Sequence, residues 1–151
     1  MDAAARATLI HARLRTVFPH PEPALVHHNA YELLVATVLA AQCTDARVNT
    51  VTPGFFSRWP DPASLAQADV AAVEGVVHST GFFRQKAKNL IAAAKLLMAR
   101  HGGAIPASMA ELTALPGVAR KTANIVLSNA LGIHVGIAVD THVRRLAFRM
   151  G

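Results

Sequence analysis

Lys121 closes the run Leu115-Pro116-Gly117-Val118-Ala119-Arg120-Lys121, and Asp140 is the only acid between Glu111 and the C-terminus. An amine at a helix start and a lone carboxylate downstream are the parts of a nucleophilic-lysine chemistry. The amine attacks an electrophilic carbon, and the carboxylate stabilises the cation that develops. Lys121 stands in the first turn of the helix, at the positive end of its dipole and beside Arg120. The turn before it places backbone N–H groups where an anion binds, and Gly117 lets a phosphate approach closely. Gly117, Val118, Ala119 and Arg120 are therefore candidate phosphate contacts. Each feature also has a plainer reading. A Pro-Gly turn usually just joins two helices, Lys121 could touch a phosphate with no covalent role, and Asp140 is an N-cap. Capping and stabilising a cation are compatible for one carboxylate.

These residues need helices to position them. Asp2 to Val17 reads as a helix stopped by the proline-rich stretch Phe18 to Pro23. After Asn29, a cap, Tyr31 to Ala41 is apolar on nearly all sides, as the central helix of an all-α core would be. Thr44 or Asp45 caps a helix to about Phe56, and Asp61 and Asp69 cap short ones over Pro62 to Gln67 and Val70 to His78. Phe83, Ala87, Leu90, Ile91, Ala94, Leu97 and Met98 form the strongest apolar stripe, with Arg84, Lys88, Lys95 and Arg100 opposite and Gly102-Gly103 as the stop. A short helix from Ser108 to Ala114, the turn, a helix through Ala123 to Ala130, a connector over Gly132 to Val139 and a last helix from Thr141 complete the chain. The connector is β-branched, but a lone strand has no partner here. The fold class is all-α.

Composition narrows the partners. With 52% hydrophobic and 16% charged residues in 151, the chain is expected to fold as one domain without a staple. Its single cysteine, Cys43, excludes an internal disulfide and suits a reducing compartment. The longest apolar run, Leu33 to Ala41, is far short of the roughly 20 residues that span a bilayer, and Asp2, Arg6 and Arg13 interrupt any secretory signal. A cytoplasmic protein with no membrane partner is expected. The eight histidines, His27-His28 included, show no ligand spacing, so no metal is assigned. From Arg84 onward ten basic residues face two acids, a net +8, while residues 1–83 net −2, which together give the chain's +6. A basic half suits a polyanion, although a solvated basic face would look the same.

Four segments in order carry a resemblance: Ala41-Gln42-Cys43-Thr44-Asp45, Gly81-Phe82-Phe83-Arg84-Gln85-Lys86-Ala87, Leu115-Pro116-Gly117-Val118 through Lys121-Thr122-Ala123, and Val139-Asp140-Thr141-His142-Val143. With them the chain resembles the endonuclease III family of helix-hairpin-helix DNA glycosylases over nearly all its length. The resemblance implies a base-excision-repair glycosylase with abasic-site lyase activity, acting on oxidised pyrimidines in duplex DNA. Lys121 would attack the sugar C1′, expel the base and form a Schiff base that permits β-elimination, with Asp140 supporting the attack. The target base must leave the stack, and Gln42 and Phe82 lie where the family fills the gap and wedges the duplex. For Gln42 a polar helix cap, and for Phe82 a buried core aromatic, are the alternatives. Lys86, His142 and Arg144 complete the expected DNA contacts.

The chain also departs from the family. Ala119 replaces the second hairpin glycine, a change tolerated if that residue has helical dihedrals. Phe83 stands where the family usually has tyrosine. The family's four clustered cysteines, which hold a four-iron four-sulfur cluster beyond the last helix, are not among these residues, so no cluster can be built from them. The expectation is a helix-hairpin-helix glycosylase fold truncated at the C-terminus. It comprises an N-terminal helix and connector (1–23), a helical core (24–137, hairpin at about 107–130) and the Asp140 loop with the start of a C-terminal region (138–151). It would be a monomer associated with the bacterial nucleoid. Two other functions fit: a catalytically impaired member that only binds DNA, and a mismatch or adenine glycosylase, whose members usually lack a lysine at the position of Lys121.

Overall fold

The computed structural model describes all residues, Met1–Gly151, and consists of nine α-helices and a 3-10 turn. In order they are α1 (Ala3–Val17), α2 (Ala30–Leu39), α3 (Asp45–Arg58), α4 (Pro62–Ala66), α5 (Val70–Val77), the 3-10 turn His78–Thr80, α6 (Phe83–His101), α7 (Met109–Thr113), α8 (Arg120–Ala130) and α9 (Thr141–Met150). The β-branched connector after α8 holds no strand. Contacts divide the chain into Leu25–Ala138 and a smaller unit of Met1–Ala24 with Val139–Gly151.

In the larger unit α2 is the hub. All its residues from Leu33 to Leu39 are buried, as is Tyr31, because a helix apolar on every side must be enclosed. It packs against α8, α3 and α6, and α6 in turn rests on α4 and α5. The stripe read from α6 is the buried face as far as Leu97, with Ala87, Leu90, Ala94 and Leu97 each at most 3% exposed, while its last member, Met98, is exposed. Phe55, fully buried, and Trp59 meet edge to face at 5.0 Å, and the Tyr31 hydroxyl donates to the Trp59 carbonyl at 3.0 Å. Burial, reinforced by the charges of Asp61 and Glu32, pushes that phenol above the usual tyrosine range.

The caps expected from the sequence form: Asn29, Thr44, Asp61 and Asp69 each accept a backbone N–H from the first turn of the helix they precede. Ser108, expected to be the first residue of its helix, caps α7 in the same way. Among the helices of this unit, α6 and α8 alone start without a side-chain cap. The central helix ends two residues before the expected Ala41, because the chain turns through Ala40 and Gln42 takes a left-handed conformation.

The smaller unit holds α1, capped by Asp2, and α9, capped by Asp140. Neither helix buries a residue fully, and Phe148 of α9 is 87% exposed.

Candidate active site

The hairpin between α7 and α8 is anchored by two side chains. Leu115 and Val118 sink into the core, and the Val118 N–H donates to the Leu115 carbonyl at 3.1 Å, which closes the turn. Val118 was expected to contact phosphate. It instead spends both its side chain and its amide holding the turn. Gly117, exposed at the tip, has φ +77°, and a Cβ there would stand 2.9 Å from Asn89 of α6. The Gln85 side-chain amide donates to Asn89 Oδ1 at 2.8 Å and fixes that floor. A Gly117→Ala variant should therefore lose about 1–3 kcal/mol in urea denaturation, from positive φ and the clash together, and bind duplex DNA more weakly.

Ala119 is extended, φ −83° and ψ 168°, and does not have the helical dihedrals under which the substitution was expected to be tolerated. Its negative φ suits any L-residue, so the methyl adds no strain. Because Ala119 offers no side-chain cap, the first-turn amides of α8 meet no side-chain oxygen, and they form the positive end of the dipole. Arg120 and Lys121 occupy the first two positions of this helix, both exposed, while Ala123, Val126 and Leu127 bury its other face. An exposed primary amine thus stands in the same turn as a helix start that has no side-chain cap.

Gln42 and Phe82 are the chain's two non-glycine residues with positive φ, +51° and +46°. A left-handed backbone costs a residue with a Cβ on the order of 1 kcal/mol, so both positions carry backbone strain. Phe82 is 66% exposed, which removes the reading of it as a core aromatic, and Gln42 is exposed as well. The next aromatic, Phe83, is held instead: its ring lies 4.3 Å from the His78 ring, with the Arg84 guanidinium 4.8 Å over it.

Lys86 requires a correction. Expected on the DNA-contacting surface, it is 5% exposed, and its ammonium donates to the Leu39 carbonyl at 2.9 Å and the Thr80 carbonyl at 2.8 Å. It lies on the same α6 face as Ala87 and Leu90 and cannot reach a phosphate. Burial pushes the ammonium below the usual lysine range, an effect opposed by nearby Cys43. Sequence reasoning also passed over Gln85 and Asn89, whose amides read as ordinary helix-surface residues.

In the smaller unit, Asp140 caps α9, its Oδ1 accepting the Val143 N–H at 2.8 Å. His142 is exposed and accepts through Nδ1 from the Arg145 guanidinium at 3.2 Å, and Arg144 is exposed. No group of three or more His, Cys, Asp or Glu side chains gathers in a way that could hold a metal ion. No helix is long and apolar enough to cross a membrane.

Known proteins resemble this chain in sequence and fold. Residues 35–151 match the HhH-GPD superfamily of base excision DNA repair proteins. The chain is 51% identical over 146 residues to endonuclease III of a Synechocystis species, covering 97% of this chain and 67% of that protein. It is 44% identical to endonuclease III of Bacillus subtilis (92% and 63% covered) and 40% identical to that of Escherichia coli (99% and 70%). It therefore spans about two thirds of the length of these relatives. Among solved structures, a non-covalent endonuclease III–DNA complex and a trapped endonuclease III–DNA covalent intermediate each superpose with a TM-score of 0.91 at 39% identity, over 97% of this chain and 68% of theirs. A thermostable thymine-DNA glycosylase superposes at 0.86 but is 20% identical, and shares the fold. With its all-helical core, its hairpin and these relatives, the chain belongs to the HhH-GPD superfamily of base excision DNA repair proteins.

Proposed function

We propose that the chain is the catalytic portion of a base-excision-repair DNA glycosylase with abasic-site lyase activity, of the endonuclease III kind, acting on duplex DNA that carries oxidised pyrimidines or abasic sites. The observation that carries this reading is the exposed Lys121 amine at the uncapped start of α8, directly after the hairpin. A solved relative at 39% identity is a trapped covalent protein–DNA intermediate, which supports an attacking residue in this fold.

The chemistry follows from these groups. Phosphate oxygens accept from the free amides at the start of α8, while Arg120 and the +8 half of the chain neutralise neighbouring phosphates. The Lys121 nitrogen forms a bond to C1′ as the glycosidic bond breaks and the base leaves with that electron pair. Loss of a proton from nitrogen and opening of the sugar give the imine. Removal of a C2′ proton then expels the 3′ phosphate by β-elimination, and water hydrolyses the imine to release Lys121. The Asp140 carboxylate supports lysine attack and the oxocarbenium-like charge. Phe82 and Gln42 occupy the space that the extruded nucleotide vacates. The protein acts as a monomer, in the cytoplasm at the nucleoid.

The family's four-iron four-sulfur cluster does not fit the residues present. It needs several thiolates, and the one cysteine here, Cys43, is half-buried and directs its thiol to the Thr44 carbonyl at 3.7 Å. No step is assigned to it.

Incubation with a thymine-glycol duplex and borohydride tests the reading, and a covalent adduct is the expected result. Salt-sensitive duplex binding with no adduct would leave only a DNA-binding module. Adduct formation with mismatched but not oxidised duplexes would favour the mismatch-glycosylase alternative. Asp140→Asn separates capping from charge, because asparagine caps as well as aspartate. That variant should melt within about 0.5 kcal/mol of wild type, while turnover falls roughly a hundredfold as the charge is lost.

A further inference from the structure

Two strained loops, each presenting one exposed side chain, are tied to a single buried ammonium. Leu39 ends α2 three residues before Gln42, and Thr80 ends the 3-10 turn two residues before Phe82. Both carbonyls accept from Lys86 Nζ, at 2.9 and 2.8 Å. The Lys86 backbone adds a third tie, its N–H donating to the Phe82 carbonyl at 3.0 Å. Thr80 is itself buried at 2% and donates its hydroxyl to the Val77 carbonyl at 2.7 Å, so the second loop is held from both sides.

We infer that Lys86 is a positioning residue that clamps the Gln42 and Phe82 loops to each other, setting the spacing at which the two side chains enter DNA. The part concerning DNA rests on the function proposed above; the clamp itself does not. A buried ammonium is a costly way to satisfy two carbonyls unless those carbonyls must be held together. Here they belong to segments 47 and 6 residues away in the chain, so one side chain fixes a relation that neither loop can set alone. Cation donors at a helix C-terminus are favourable, and Leu39 is the last residue of α2. Lys86 sits at i+3 from Phe83 and i+1 from Gln85, so the first turns of α6 support both the two loops and, through Gln85 and Asn89, the hairpin tip.

The first test needs no DNA. In Lys86→Met, which keeps the volume and removes the donor, amide hydrogen exchange over residues 39–43 and 80–84 should speed up about tenfold, the loss expected when buried carbonyls go unpaired. The Val118 amide, which closes the hairpin, should not change. Wild-type exchange in either loop, or acceleration spread equally to Val118, overturns the clamp. Should Lys86→Met not fold, wild-type protein decides: the Lys86 side-chain ammonium must give a slowly exchanging nitrogen-15 signal, and its absence overturns the clamp.

The second test uses a duplex with a tetrahydrofuran abasic analogue opposite 2-aminopurine. Lys86→Met should lose most of the wild-type fluorescence change on binding, yet keep wild-type affinity and salt dependence for undamaged duplex. Adding Lys86→Met to Phe82→Ala should lower the response no further than Phe82→Ala alone. A full response in Lys86→Met, or independent losses that add, overturns the positioning role. A wild-type protein that gives no response at all counts against the proposed function, while the exchange data still decide the clamp.

Discussion

Replacing Lys121 by glutamine should eliminate the borohydride-trapped adduct and lower lyase turnover by roughly a thousandfold or more, the scale set by removing a covalent nucleophile. The variant is informative because little else changes. Lys121 is exposed, while the residues that fix α8 are Ala123, Val126 and Leu127 on its buried face. Thermal unfolding should therefore shift by no more than about 0.5 kcal/mol. Duplex affinity should fall only modestly, with the salt slope reduced by about one, because a single cation is lost while Arg120 and the helix amides remain. Intact binding with no adduct places the loss in the chemical step. If the variant still forms an adduct, another amine is the nucleophile and the assignment of Lys121 is wrong.

The elements that hold Lys121 were legible because each carries a local signal strong enough to survive folding. Asn29, Asp61, Asp69 and Asp140 read as caps and act as caps, and the α6 stripe became the buried face as far as Leu97. What could not be read were relations between distant segments. Lys86 looks like one more cation in a basic helix. Only its register with Ala87 and Leu90 hints at burial, and nothing local says that its partners are Leu39 and Thr80. Val118 looked like an exposed hairpin residue because the turn motif does not reveal which of its members faces the core. Likewise, no propensity would place Gln42 and Phe82 at positive φ, since both residues disfavour it. Their strain arises where tertiary contacts overrule local preference, and that is at the loops the family resemblance had singled out.

That strain leads to the second large effect, in which stability and activity move in opposite directions. Phe82→Gly should raise stability by about 0.5–1 kcal/mol, because glycine adopts φ +46° freely and a side chain 66% exposed contributes little packing. Turnover on a thymine-glycol duplex should nevertheless fall roughly 10–100-fold, the equivalent of one aromatic contact with an unstacked base. Phe82→Ala is the necessary companion, since it removes the ring and leaves the strained Cβ. It should lose the same activity with no gain in stability. Urea denaturation and single-turnover kinetics on the three proteins read both quantities. Equal stability in the glycine and alanine variants would show that the left-handed backbone at residue 82 carries no strain. Wild-type turnover in both would show that Phe82 does not enter the duplex, and the aromatic would then be an exposed loop residue and nothing more. If the predicted split is found, the reason this chain keeps a phenylalanine where glycine would fold better is that the exposed ring does its work only in contact with DNA.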